Sequence, residues 1–236
     1  MPSLRQTMPM VIDRLMPTRL LSTVLVSFAS IAIISPFLAA SPALSAPLLA
    51  QQPNCNDAQT QQDMNICAGL SYENADRALN RAYQALVPNL STTRRQKLTS
   101  AQLRWIAFRD AECEFYGSEA EGGSMQPLLV SGCKDQITQR RTTDLNAYLV
   151  GKSPASGGNY QNADRRLNQL YQQLLQTLEP DRKRKLETAE LTWIAFRDSA
   201  CGFEASGGGN AARNQCLTRL TLQRNQQLQG YLAIDR

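Results

Sequence analysis

The chain has 236 residues, with 25 Lys and Arg against 20 Asp and Glu, a formal charge of +5 and no histidine. So small a positive excess argues against a dedicated nucleic-acid binder, which would concentrate basic residues on one face. The missing histidine removes the usual near-neutral general base and the commonest zinc ligand.

Arg5, Arg14 and Arg19 precede a nearly uncharged apolar run from Leu20 to Leu38, followed by small residues and prolines up to Pro47. This is the layout of a secretory signal peptide, residues 1–45, with cleavage expected after Ser45. An uncleaved anchor is the competing reading, because the run approaches the length of a membrane span; Pro36 and the Ala/Ser/Pro tail favour cleavage. Gln52-Pro53-Asn54 before Cys55 gives no lipidation signature. Losing Arg5, Arg14, Arg19 and Asp13 takes the formal charge from +5 to +3.

A helix is expected from Thr60 to Leu86, ended by Val-Pro-Asn, with Tyr72, Asp76, Leu79, Tyr83 and Leu86 at the three-and-four spacing of one face. Ser91-Thr92-Thr93 reads as the N-cap of a second helix reaching Phe115, its face carrying Leu98, Gln102, Trp105, Arg109 and Glu112. The Gly, Ser, Glu and Pro content of 117–132 predicts a loop, and a third helix follows from Cys133 to Tyr148. Residues 151–159 read as a flexible linker. Further helices are expected over 159–178, 181–203 and 213–232, with a glycine-rich loop over 205–211.

The second half repeats the first. Trp105-Ile106-Ala107-Phe108-Arg109-Asp110 returns as Trp193-Ile194-Ala195-Phe196-Arg197-Asp198, and matched residues from Tyr72/Tyr160 to Cys113/Cys201 stand 88 positions apart. A register held through two helices marks a duplicated folding unit. The fold class is therefore all-α: two tandem, disulfide-stapled, antiparallel three-helix units, 46–150 and 160–236, after a signal peptide.

An even cysteine count in an exported chain reads as disulfides. The second copy holds only Cys201 and Cys216, so these pair if the copy is self-contained. By analogy Cys113 pairs with Cys133, which leaves Cys55 for Cys67. A zinc site lacks any short-spaced cysteine pair, and no metal or cofactor is expected.

Asp76 and Asp164 fall inside apolar stripes, and Arg109 and Arg197 share a face with Trp105 and Trp193. Charges so placed must be paired, so Asp76–Arg109 and Asp164–Arg197 bridges are expected, with Trp covering the guanidinium. Asp110 and Asp198 then take Arg141 and Arg224. Carboxylates beside arginine stay ionised, which suits neither a general acid nor a poised base, so the set reads as structural and not catalytic. A serine triad is excluded without histidine. The basic runs Arg94-Arg95 with Lys97, and Arg182 to Lys185, read as solvated helix starts or, more sharply, as contacts for an anionic envelope polymer.

The Tyr-x-Asn-Ala-Asp-x-x-Leu-Asn-x-x-Tyr stretch, Ala101-Gln102-x-x-Trp-Ile-x-Phe-Arg-Asp-x-x-Cys113, Glu121-Gly122-Gly123-Ser124-Met125 and the cysteines resemble the lysozyme inhibitor LprI-like N-terminal domain family. The match covers about 55–150. The second copy, 160–233, keeps the Trp-Ile-x-Phe-Arg-Asp-x-x-Cys core but lacks the first cysteine pair and the Glu-Gly-Gly-Ser-Met loop. The resemblance implies an exported, non-enzymatic protein that binds and blocks lysozyme. Such an inhibitor needs a rigid protrusion to plug a cleft holding two carboxylates. The 113–133 loop, with Glu119, Glu121, Ser124 and Met125, is the expected binding element, a solvated connector being its plain alternative. The rival reading is a scaffold module touching peptidoglycan or another envelope protein.

Overall fold

The computed structural model describes residues 53–152 and 157–234. The expected signal peptide lies outside the described residues, as does 153–156 within the expected linker. The described residues are all-helical, with α1 (Gln61–Leu86), α2 (Thr92–Gly117), α3 (Gln126–Leu149), α4 (Tyr160–Thr177) and α5 (Pro180–Ile234). Short 3-10 turns at Val87–Asn89 and Ser118–Ala120 follow α1 and α2.

Polar caps set three of the helix starts. Thr60, Ser91 and Asn159 each accept a hydrogen bond from the backbone N–H three residues on, satisfying a donor the helix cannot. Helix α3 has no side-chain cap and begins with Pro127 in its first turn, where a missing N–H costs nothing. It therefore starts at Gln126, seven residues before the expected Cys133, and the expected loop shrinks accordingly. Helix α5 replaces two expected helices and the loop over 205–211. Its path bends where Gly209 takes φ 66°, a conformation that costs glycine little and other residues more. We call 180–208 and 210–234 its two arms.

Three disulfides staple the molecule: Cys55–Cys67, Cys113–Cys133 and Cys201–Cys216. These are the pairs the duplication predicts. The first folds the N-terminal arm back on α1, and each of the others links the end of one helical element to the next. Near the second staple, α2 and α3 approach so closely that a Cβ on Gly117 would lie 2.3 Å from Val130 Cγ2.

Helix α1 packs on α3 and α4 packs on α5, while α2 lies against both α3 and α5. A single apolar core runs through both repeats, from Leu86, Leu98, Trp105 and Phe115 to Leu170, Leu186, Trp193 and Phe203. The α2–α5 contact has an internal twofold. Phe108 stacks on its counterpart Phe196 with centroids 5.9 Å apart. Arg94 lies over Phe203 at 4.9 Å, and its counterpart Arg182 lies over Phe115 at 5.4 Å. Tyr148 meets Phe203 edge-on, as Tyr231 meets Phe115, both at 5.2 Å. These pairs run in opposite directions along the two helices, so α2 and the first arm of α5 are antiparallel.

Phe108→Ala should lower the unfolding free energy by about 3–5 kcal/mol. In a double-mutant cycle with Phe196→Ala, urea denaturation should show a coupling of about 0.5–1.5 kcal/mol between the rings. Additive losses would mean that the stack contributes nothing beyond burial.

Candidate functional site

Two regions concentrate polar chemistry: the charged network buried between the repeats, and the loop closed by Cys113–Cys133. The expected bridges at the tryptophans are present but open. Arg109 lies 3.6 Å from Asp76, and Arg197 lies 4.0 Å from Asp164. The guanidinium groups sit over Trp105 and Trp193 at 5.1 and 5.0 Å. Asp76 is 38 % exposed against 9 % for Arg109, so its carboxylate remains at the rim of the core.

The second expected set of pairs does not form. Asp110 accepts from the adjacent Arg109 at 2.9 Å and meets Lys134 at 3.4 Å, while Asp198 is held by Arg197 at 2.9 Å. Neighbouring helical residues point apart at Cβ, but an arginine is long enough to fold sideways onto the next side chain. Arg141 instead donates through Nε to Gln102 at 3.0 Å. Arg224 lies fully buried between Glu112 at 2.6 Å and Glu190 at 2.9 Å.

Glu112 belongs to α2 and Arg224 to the second arm of α5, so this bridge joins the repeats. Tyr231 donates its hydroxyl to the same Glu112 oxygen. Burial works against the Arg224 charge, but Glu112 and then Glu190 outweigh it and lift its pKa above the ordinary arginine value. Burial also pushes the Tyr231 hydroxyl well above its ordinary value, with Glu112 adding to the effect, so it stays a proton donor. A second lock lies elsewhere on the interface. Arg219 is held by Asp144 at 3.1 Å and Glu204 at 2.6 Å, and Tyr148 donates to Glu204 at 2.6 Å. Neither lock is anticipated as a pairing, although Glu112 stands on the Trp105 face of α2 and so carries a visible signal.

Among the described residues no group of His, Cys, Asp or Glu could hold a metal ion. The buried carboxylates are all tied to arginine or tyrosine, which makes them poor proton shuttles.

The loop is held from several sides. Glu119 bridges to Arg182 at 2.6 Å and Glu121 to Lys185 at 2.6 Å, both on the first arm of α5. Asn65 on α1 donates to the Ser124 carbonyl at 3.0 Å, and the Gly122 N–H donates to Gln126 at 3.0 Å. Ser124 is exposed and Met125 is 48 % exposed. The two glutamates thus face inward to the second repeat, and the apex 122–125 faces solvent.

The basic helix starts are partly occupied. Arg184 pairs with Asp181 at 2.5 Å, Arg182 and Lys185 hold the loop, and Arg94 covers Phe203.

The sequence profile of the family described as Lysozyme inhibitor LprI matches residues 53–145 and again 153–228. An uncharacterized protein, R02472, from Rhizobium meliloti (strain 1021) is 42% identical over 132 residues, covering 47% of this chain and 95% of its own. The crystal structure of an uncharacterized protein from Burkholderia thailandensis superposes with a TM-score of 0.55 at 18% identity, over 73% of this chain and 90% of that one. That likeness is one of fold.

Arg224→Met should cost about 3–5 kcal/mol of stability, since it strands Glu112 and Glu190 in the core. Arg109→Met should cost about 1 kcal/mol or less, because Asp76 can turn to water. Burial raises the Glu204 pKa, with Arg219 and Tyr148 opposing it. Ionising Glu204 is therefore harder in the folded chain, and its contribution to stability falls as pH rises from the unfolded value, about 4.3, through the raised one. Thermal unfolding across that interval should show the wild type losing stability relative to Glu204→Gln.

Proposed function

Because the chain belongs to the lysozyme inhibitor LprI family, we propose that it is a non-enzymatic binding protein that blocks a lysozyme-type glycan hydrolase with the loop closed by Cys113–Cys133. The three disulfides and the family point to an extracellular or periplasmic protein. No helix among the described residues is long and apolar enough to cross a membrane. Export by a cleaved signal peptide completes the proposal.

The observation that carries the reading is the bracing of the loop. A plug gains affinity when it is ordered before binding, since the ordering cost is not charged to the complex. Here a disulfide closes the base, Asn65 holds the apex backbone, and Arg182 and Lys185 hold the two glutamates. The apex then offers the Ser124 hydroxyl and the Met125 side chain, a donor and an apolar knob on a fixed frame. A hydroxyl donor suits a cleft lined by carboxylates. Glu119 and Glu121, expected as contacts, act in this reading as the struts that set the loop's angle.

The scaffold reading relied on basic helix starts meeting peptidoglycan or another envelope protein. It loses part of its support because Arg94, Arg182 and Lys185 are engaged within the chain, which leaves Arg95, Lys97, Lys183 and the exposed Arg184 for such a contact.

The purified protein should inhibit lysozyme acting on cell-wall substrate at micromolar concentration. Met125→Asp combined with Ser124→Ala should raise the half-inhibitory concentration by about tenfold or more, the size expected for loss of a contact hot spot. Arg182→Ala, which frees a strut without touching the apex, should give a smaller rise. No inhibition by the wild type would remove the reading.

A further inference from the structure

The internal twofold places a pocket at each end of the α2–α5 seam, and the two pockets differ in charge. The first, of about 290 Å³, lies beside the 113–133 loop and is walled in part by Phe115, Arg182, Tyr231 and Glu119. Its twin, of about 270 Å³, is walled by the counterparts Phe203, Arg94, Tyr148 and Gly207. The register holds up to this point, because Ser118 donates to the Phe115 carbonyl and Ser206 to the Phe203 carbonyl, both at 2.6 Å. Glu119, the residue after Ser118, therefore corresponds to Gly207.

In the first pocket Glu119 grips Arg182 at 2.6 Å, so the two charges cancel. In the twin the arginine remains and the carboxylate is gone. A Cβ on Gly207 would lie 2.9 Å from Nη2 of Arg94, and its next two neighbours would belong to the same guanidinium. Among the described residues no carboxylate bridges to Arg94. Its guanidinium covers Phe203 with one face at 4.9 Å, which leaves the donor edge available. Of its three nitrogens only Nε is sealed off without a partner, so the two Nη atoms open to the pocket. Lys152 is exposed on the rim and adds a second positive charge. Glu204 also lines the pocket, but Arg219 and Tyr148 hold it, each at 2.6 Å.

We propose that the twin pocket binds a glutamate-like group, a carboxylate on a short aliphatic arm, with its oxygens on the Arg94 Nη atoms. The first pocket shows the fit, since the same floor of arginine over phenylalanine holds a glutamate carboxylate there. The planar guanidinium fork matches a carboxylate, and the space beside Gly207 and over Phe203 takes the arm. Its volume is near the lower end for ligand pockets, about 300 Å³, which suits a small acid and not a long polymer. This site lies at the far end of the seam from the loop and does not depend on lysozyme binding.

The test is a nuclear magnetic resonance titration of the isotope-labelled full chain, following the Gly208 amide. N-acetylglutamate α-amide should shift it saturably. Its glutamine analogue and inorganic phosphate should each bind at least about tenfold more weakly, because one lacks the charge and the other the planar carboxylate. Arg94→Gln should weaken binding of the acid by about tenfold or more. Gly207→Glu, which supplies the carboxylate that Glu119 gives the first pocket, should abolish binding of the added acid. Gly207 lies in helix without a positive φ, so glutamate is accommodated there. This second variant decides the matter if Arg94→Gln does not fold. Absence of a saturable shift in the wild type, equal affinity for the glutamine analogue or for phosphate, or unchanged affinity in Gly207→Glu would each overturn the proposal.

Discussion

The guanidinium of Arg224, sealed between Glu190 of its own repeat and Glu112 of the other, is the constraint on which the assembly of the two repeats depends. The apolar surfaces that meet there are related by near symmetry, and symmetric greasy faces tolerate sliding. Buried charges do not. In any other register Arg224 or Glu112 would sit in the core without its partner, at a cost of several kcal/mol. A well-packed apolar pair could match the bridge in stability, so its consequence lies in the penalty it places on misdocking. The Phe108–Phe196 stack then fixes where the twofold passes.

The sequence made the helices legible because their signals are local. Thr60, Ser91 and Asn159 cap where their residue types suggest, and the duplication carried the disulfide pairing from one repeat to the other, with Cys201 matching Cys113 and Cys216 matching Cys133. The errors have physical causes. Gly, Ser and Pro in 117–132 read as loop, yet Pro127 falls in a first helical turn where proline is tolerated, so α3 begins early. The glycines of 205–211 read as loop as well, but helix persists through most of them and only Gly209 breaks. The partners of Arg141 and Arg224 were misplaced because pattern shows which face a residue occupies and not which element covers that face. Cross-repeat contacts are invisible to a reading made one repeat at a time.

Phe108, Phe115 and Tyr148 keep aromatic counterparts in Phe196, Phe203 and Tyr231, while the polar residues around them diverge. Tyr148 and Tyr231 are counterparts, and each donates to a glutamate of the opposite repeat. The acceptors are not counterparts: Tyr231 meets Glu112, whereas Tyr148 meets Glu204, whose equivalent in the first repeat is Tyr116. The acceptor has moved one helical turn while the donor stayed. Both arrangements satisfy the buried hydroxyl, which is the requirement that must be met. Arginine partners shifted with the acceptors, so Arg219 and Arg224 each hold two carboxylates, whereas Arg141 has the neutral Gln102.

The same asymmetry bears on how the loop is presented. The second repeat lacks a counterpart of Cys55–Cys67 and of the Glu-Gly-Gly-Ser-Met segment, and in place of a loop it continues helix to a single bend at Gly209. Its basic helix start, in contrast, is retained and reaches across to Glu119 and Glu121. These bridges are partly exposed and individually weak, but they act on a segment already closed by a disulfide, where little entropy remains to be lost. In the proposed inhibitor one repeat therefore carries the contact surface and the other braces it. In that proposal the second copy needs no plug of its own, since its Arg182 and Lys185 hold Glu119 and Glu121 of the first.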